Sequence, residues 1–309
     1  MISNVIRWID NLSLEKNIKL LFSMTLVLSS VKNISAWSLY ETHNDNFYHF
    51  PVFDFLGKIH PIVDYTILFA SLISLWCLKS KNNRIYSVPF FINGCANLYF
   101  MAADYLQLHH DMLLSGMIFI SYGLIYYYKN TKKEYGYFLI LIAIVASTYL
   151  LSGVAKINSD FLSGEITATI IGRSEQFFFW PIMAPFQNFA VELSYFAMIV
   201  EIIEPIILIG AIGTVKLYLI LLAFPFHLGI LLTNTGTVYN LIYPACFLFI
   251  VAQQYPSLNT NKNFISRIYK LALMSFQSFA ILYVALLPLL LTTNLMHKYL
   301  GYGLKSLFL

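Results

Sequence analysis

Apolar residues in this chain come in blocks rather than in stripes. Runs long enough to span a bilayer, roughly 20 residues each, stand at about 19–37, 59–78, 86–104, 112–128 and 135–156. Four more follow at roughly 186–212, 215–234, 237–254 and 270–296. The blocks predict an all-α fold: a polytopic integral membrane helical bundle of eight or nine transmembrane helices. Before the first block, Ile2, Val5, Ile6, Ile9 and Leu12 recur at near-helical spacing around Trp8. Residues 1–18 therefore predict an amphipathic helix lying on the membrane, and no cleavable signal peptide. Residues 19–300 form the transmembrane domain and 301–309 a short tail. One connection is unlike the others. The 157–185 stretch holds Gly164, Gly172, Pro181 and Pro185 among Phe177, Phe178, Phe179 and Trp180, and predicts a broken connection packed at the outer face.

Composition agrees with the blocks. The chain is 59% hydrophobic and 11% charged, against about 25% charged in a soluble protein. A net charge of +4 spread over short loops makes a nucleic-acid partner unexpected; the lipid bilayer is the expected surrounding. Cys77, Cys95 and Cys246 fall inside apolar segments without metal-type spacing, and read as small buried hydrophobes.

Charge then orients the bundle. With nine spans, one side holds Arg7, Lys16, Lys19, Lys79, Lys81, Arg84, Lys129, Lys132, Lys133, Lys216, Lys262, Arg267 and Lys270. The other side holds Lys58, Lys156, Arg173, Lys298 and Lys305. Basic residues favour the cytoplasmic side, so the N-terminus is expected inside and the C-terminus outside, in a multi-pass protein of the cell (inner, cytoplasmic) membrane. All seven histidines, His43, His49, His60, His109, His110, His227 and His297, then fall on or near the outer face.

Three places carry candidate chemistry. In "YLLSGVAKINSDFLSG", Lys156 ends an apolar helix, with Asp160 four residues on. In a low-dielectric site a lysine's charged form is penalised, and a neutral amine is a base or nucleophile. The structural alternative is a lysine that reaches the interface and pairs with Asp160 on the same helix face. His227 lies in "AFPFHLGILLTN" with apolar residues on both sides, at a depth where ionisable groups face a bundle interior or water; Asn234 marks the outer end of that helix. In the 186–212 span, Glu201 and Glu204 share a stripe beside Pro205, as a proton relay or as a buried structural pair. His109 and His110 open a span at the outer side, but no H-x-x-x-H, C-x-x-C or E-x-x-H spacing accompanies them, so no metal site is expected.

These pieces resemble the vitamin K-dependent γ-carboxylase family and its bacterial relatives, the horizontally transferred transmembrane (HTTM) proteins. The shared pattern is an aromatic-rich helix, small-Gly-x-x-Lys, three residues, Asp, an aromatic, and Gly three further on. Here it falls on Ser152, Gly153, Lys156, Asp160, Phe161 and Gly164. "HHDMLLSGMIF" resembles the family's histidine at the outer start of a span, matched by His110. "FPFHLGILLTNTGTVYNLIYPACFLFI" resembles its histidine-bearing span, matched by His227, and "EIIEPIILIG" its intramembrane acid, matched by Glu201. The likeness covers roughly 90–300.

The resemblance implies Lys156 as catalytic base, with His110, His227 and Asp160 beside it. Glu201, His109 and Asn234 would meet the substrate, and a reduced quinone would be the cofactor. The carboxylases continue past their last span into a lumenal domain that recruits substrate. A chain reaching Leu309 just beyond its last span is expected to look more like the bacterial SdpB type. That type accompanies small secreted peptide toxins and their companion maturation proteins. Three readings stand: a membrane enzyme with an outward-facing polar cavity acting on a quinol-like lipid or membrane-associated peptide, a non-catalytic export partner of a secreted peptide, and a proton-coupled transporter.

Overall fold

The computed structural model of the chain describes residues 13–43, 61–80, 82–103, 110–173, 180–210, 219–232, 239–255 and 267–282. Among these the structure is all-helical, without a strand. The long helices are α1 (Leu14–His43), α2 (Pro61–Cys77), α3 (Asn83–Ala103), α4 (His110–Tyr127) and α5 (Lys132–Ala155). Short α6 (Ser159–Leu162), α7 (Glu165–Arg173) and α8 (Trp180–Met183) follow, with a 3₁₀ turn at Ala184–Phe189. Then come α9 (Ala190–Gly210), α10 (Leu219–Leu232), α11 (Tyr239–Gln254) and α12 (267–282). Two helical stretches, Lys132–Ala155 and Pro181–Gly210, are long and apolar enough to cross a membrane.

Of the segment expected to lie on the membrane, residues 13–18 are described. α1 runs unbroken from Leu14, because Ser13 Oγ accepts from the Lys16 amide at 3.5 Å and Glu15 sits in the positive first turn. The rest of the expected surface helix, and the tail at 301–309, lie outside the described residues. So do 174–179 within the broken connection.

Helices α1 to α5 pack in sequence, with α3 against α4 the most extensive contact, and α9 then covers α5. α11 closes the bundle by touching α10, α1, α5 and α4. Glycine permits the closest approach. A Cβ on Gly94 would lie 2.5 Å from Ile120 Cγ1 and 2.9 Å from the Gly116 carbonyl oxygen, so α3 and α4 meet nearly backbone to backbone. The core is aromatic. Phe22 stacks on Tyr122 at 3.7 Å, and Tyr86, Phe90, Tyr126 and Phe249 surround them, joining α1, α3, α4 and α11.

Buried polar side chains tie the first helices together. Ser30 Oγ donates to Asn93 Oδ1 at 2.6 Å, and Asn93 Nδ2 donates to Ser71 Oγ at 2.8 Å. Asn93 Nδ2 also reaches the Pro89 carbonyl at 3.0 Å, and Ser71 Oγ donates to the Ile67 carbonyl at 2.8 Å. Asn93→Ala removes the hub and leaves two buried hydroxyls with fewer partners. We expect a loss of about 1–3 kcal/mol, read as a lowered midpoint of unfolding in detergent; an unchanged midpoint would mean that the serines re-pair without it.

At one end of the bundle Glu15 forms ion pairs with Lys129 and, at 3.2 Å, with Lys19, whose Nζ also donates to Asn83 Oδ1 at 3.0 Å. Lys19 lies over the rings of Tyr126 and Tyr86, 4.6 and 5.0 Å from their centroids. The start of α1, the start of α3 and the turn after α4 therefore meet at a basic end. Burial works to raise the Glu15 carboxyl, and the two lysines more than offset it and hold it below its ordinary value. A depressed carboxylate contributes stability above its unfolded pKa and loses it as acid protonates the folded group, though half-exposure keeps this contribution small.

Cys77 and Cys246 are buried, but Cys95 is exposed, against the expectation that all three are small core residues. It lies on a helix whose outer face also carries Ile85, Val88 and Ile92, so an apolar side chain there meets the surroundings and not the core.

Candidate functional site

α5 ends where its sequence stops favouring a helix. Lys156 is the C-cap, its amide shared between the Ser152 and Gly153 carbonyls, and Ile157 carries the chain out of the helix. Asn158 is extended and caps α6, its Oδ1 accepting from the Phe161 amide at 2.9 Å. This break decides the partner of Lys156. An i,i+4 pair needs one continuous helix, and the helix is interrupted between Lys156 and Asp160. The expected pairing is therefore corrected. Asp160 is exposed and its carboxylate accepts from Ser159 Oγ at 3.2 Å, while Lys156 Nζ forms an ion pair with Glu201 Oε2 across to α9. Lys156 Nζ also donates to Ser152 Oγ at 2.7 Å and lies 5.5 Å from the ring centroid of Phe161.

Two glycines let α9 approach closely enough for this pair. A Cβ on Gly153 would stand 2.8 Å from Ile202 Cγ1 and 3.1 Å from the Glu201 carbonyl carbon. Gly164, at φ +83°, has its α-carbon hydrogen pointing at the first turn of α9, where a Cβ would be 2.7 Å from the Val191 nitrogen. Pro205 sits inside α9 and has no N–H to give the carbonyl four residues earlier, which is that of Glu201. The acid that meets Lys156 thus lies where the helix ladder is interrupted and where α5 comes closest.

Glu201 is 8% exposed, and Glu204, one turn further along α9, is fully buried. Among the described residues neither carboxyl oxygen of Glu204 has a hydrogen-bond partner. Two turns before Lys156 on α5, the buried Tyr149 hydroxyl is hydrogen-bonded to His227 Nε2 of α10. The His227 ring stacks on Tyr243 of α11 at 6.3 Å, and Tyr149 meets Tyr243 edge-on at 5.1 Å. Glu204 and Glu201 both act on Tyr149 electrostatically. The result is an ionisable cluster drawn from four helices: Lys156 and Tyr149 from α5, Glu201 and Glu204 from α9, His227 from α10, Tyr243 from α11.

The structure thus brings Lys156, Glu201 and His227 to one region of the bundle and leaves Asp160 on its surface. His110 opens α4, but its side chain, and His109 and Asn234 altogether, lie outside the described residues. Tyr149 and Tyr243 were not singled out by sequence reasoning. The available signal was spacing: Tyr149 precedes Lys156 by seven residues, two helical turns, and shares its face. Chemically, a paired lysine and carboxylate beside a second buried carboxyl can hold, move and return a proton. Among the described residues no group of three His, Cys, Asp or Glu side chains could hold a metal ion.

No family model, no curated protein and no solved structure matches the chain.

Proposed function

We propose that this protein is a multi-pass protein of the cell membrane, N-terminus inside, with an acid–base site built on Lys156 and Glu201. The observation that carries the site is the Lys156–Glu201 pair, formed between two helices at the end of α5 with the Glu201 side chain buried. Lys156 is the base. As an ion pair it is an ammonium; once it has lost a proton it is a neutral amine able to take one from substrate.

Inverted polarity supports the multi-pass reading, in α9 and also in helices outside the two long apolar stretches. α9 buries Ser194, Glu201 and Glu204 and exposes Ile199, Ile206 and Ile209, the last at 67%. α2 buries Ser71 and Ser74 and exposes Phe69 and Trp76, the latter at 82%. α3 buries Ser87, Asn93 and Asn97 and exposes Ile85, Val88 and Ile92. Water would favour the opposite arrangement; lipid favours this one. The basic end built on Lys19 and Lys129 supports an inside N-terminus. Lys156 stands 24 residues further along α5 than Lys132, roughly 36 Å at 1.5 Å per residue, about the thickness of a bilayer core, hence at the outer face.

The substrate class rests on the resemblance to HTTM proteins. It is a lipophilic, quinol-like molecule or a membrane-associated peptide, as in maturation of a secreted peptide toxin by an SdpB-type protein. The test is mass spectrometry of secreted peptides and membrane lipids from cells with the protein, without it, and with Lys156→Arg. Arginine keeps the charge and can pair with Glu201, but it is not a base at neutral pH. The mass change should vanish without the protein and fall at least about 100-fold with Lys156→Arg, the usual contribution of general acid–base catalysis. A full mass change with arginine would remove the base and favour the non-catalytic export partner.

The unpartnered Glu204 favours a second reading, a proton-coupled transporter. There Glu201→Gln abolishes coupled uptake while no molecule changes mass.

A further inference from the structure

The Lys156–Glu201 pair poses a chemical problem, because an ion-paired lysine is an ammonium and an ammonium is not a base. The neighbouring acid offers a solution. Glu204 is three residues after Glu201 on the same helix, fully buried, and without a hydrogen-bond partner among the described residues. An isolated carboxylate is costly away from water, whereas a neutral acid is tolerated. Two carboxyls one turn apart in such surroundings do not both ionise. Among the described residues Glu201 faces a cation and Glu204 does not, so the resting proton belongs on Glu204.

We propose that Glu201 and Glu204 share a single proton, and that its position decides whether Lys156 is a paired ammonium or a free amine. This rests on the reading of Lys156 as the base. In the resting form Lys156 is an ammonium, Glu201 a carboxylate and Glu204 an acid. In the active form the O–H bond of Glu204 breaks and one forms on Glu201, moving the negative charge to Glu204. Lys156, now beside a neutral acid, releases one proton to water; its side chain is 21% exposed at the end of α5. The amine then takes one proton from substrate, its new N–H bond forming as the substrate's bond to hydrogen breaks. Return of the shared proton to Glu204 restores the ion pair. One proton leaves to water and one arrives from substrate, so the site is unchanged over a cycle. The other titratable groups gathered here are Tyr149 from α5, His227 from α10, and Tyr243 and Cys246 from α11. Tyr149, which Glu204 influences electrostatically, is the group placed to receive the field of an ionised Glu204.

Infrared spectroscopy of the purified full-length protein in lipid tests this directly. The spectrum at neutral pH should contain the carbonyl stretch of a protonated carboxylic acid that disappears in Glu204→Gln and persists in Glu201→Gln. Absence of the band, or its loss only in Glu201→Gln, overturns the proposal. Should Glu204→Gln fail to fold, Glu204→Asp keeps the acid and should shift the band, and an unshifted band overturns the assignment. A second measurement follows Lys156 itself, by its rate of labelling with a small amine-selective acylating reagent. Glu204→Gln removes the proton reserve and should slow labelling roughly tenfold; an unchanged rate disconnects Glu204 from Lys156. The two readings fail separately. If Lys156→Arg leaves the mass change intact while the Glu204 band is present, the base reading fails and the shared proton stands. If the band is absent, the shared proton fails whatever arginine does.

Discussion

Lys156→Ala will destabilise the purified protein by about 3–5 kcal/mol, and adding Glu201→Gln will recover most of that loss. The reason is the asymmetry of a buried ion pair. The pair itself contributes little net stability, since bringing both charges out of water offsets their attraction. Removing the lysine alone leaves Glu201, 8% exposed, as a carboxylate with no cation and with apolar neighbours such as Val200 and Leu208 on its own helix. Glutamine has the same shape and no charge, so the double variant loses an attraction without keeping an uncompensated charge. Thermal unfolding of wild type, both single variants and the double variant in one detergent forms a double-mutant cycle. Additive losses would mean that Lys156 and Glu201 do not depend on each other, and the site would lose its central contact.

Gly164→Ala is the second large effect, with an expected loss of roughly 2–5 kcal/mol. Two penalties add. At φ +83° an L side chain is strained, by about 1–2 kcal/mol. The new methyl would also stand 2.7 Å from the Val191 nitrogen and 2.9 Å from the Ala190 carbonyl carbon, and overpacking of this kind costs about 1–3 kcal/mol. The neighbours are backbone atoms of the first turn of α9, so relief requires that helix to move. Its movement would carry Glu201 away from Lys156, and any protein-dependent mass change should fall with the stability. Gly136→Ala is the control: it lies within helix α5 with nothing within 4 Å of a new Cβ, and it should be neutral or slightly stabilising. Equal behaviour of the two alanines would show that the α7–α9 junction is not constrained by Gly164.

The long apolar blocks located the helices because a block of that length has one economical conformation in an apolar medium. Helix ends were less legible. Ser13 starts α1 ahead of the first apolar block, and Asn158, a helix N-cap, separated Lys156 from Asp160. The motif "INSD" contains that cap, and its polar side chain competing for backbone amides is the signal that the i,i+4 pairing overlooked. Glu201 was legible as a carboxylate in an apolar run, but its partner was not. Forty-five residues separate it from Lys156, and only the packing of α5 on α9 closes that distance. Tyr149 was illegible for another reason: in a chain with 22 tyrosines no single one stands out until His227 is found against it.

The polar groups of the two halves of the bundle have different amounts of freedom. In the Ser30–Ser71–Asn93 knot each side chain is held by several neighbours, so exchanging one partner means breaking another. That region behaves as a clamped frame. α3 also contains an internal proline, Pro89, but there Asn93 ties the helix to its neighbours. α9, α10 and α11 each contain one, Pro205, Pro225 and Pro244, and each proline leaves a carbonyl of its own helix without the usual amide. Such helices bend at modest cost about these points. Their flexure changes the separation of Lys156 on the proline-free α5 from Glu201 on α9. Mechanical compliance and charge state are thus joined at one residue pair: bending α9 alters the contact on which the Lys156–Glu201 ion pair depends.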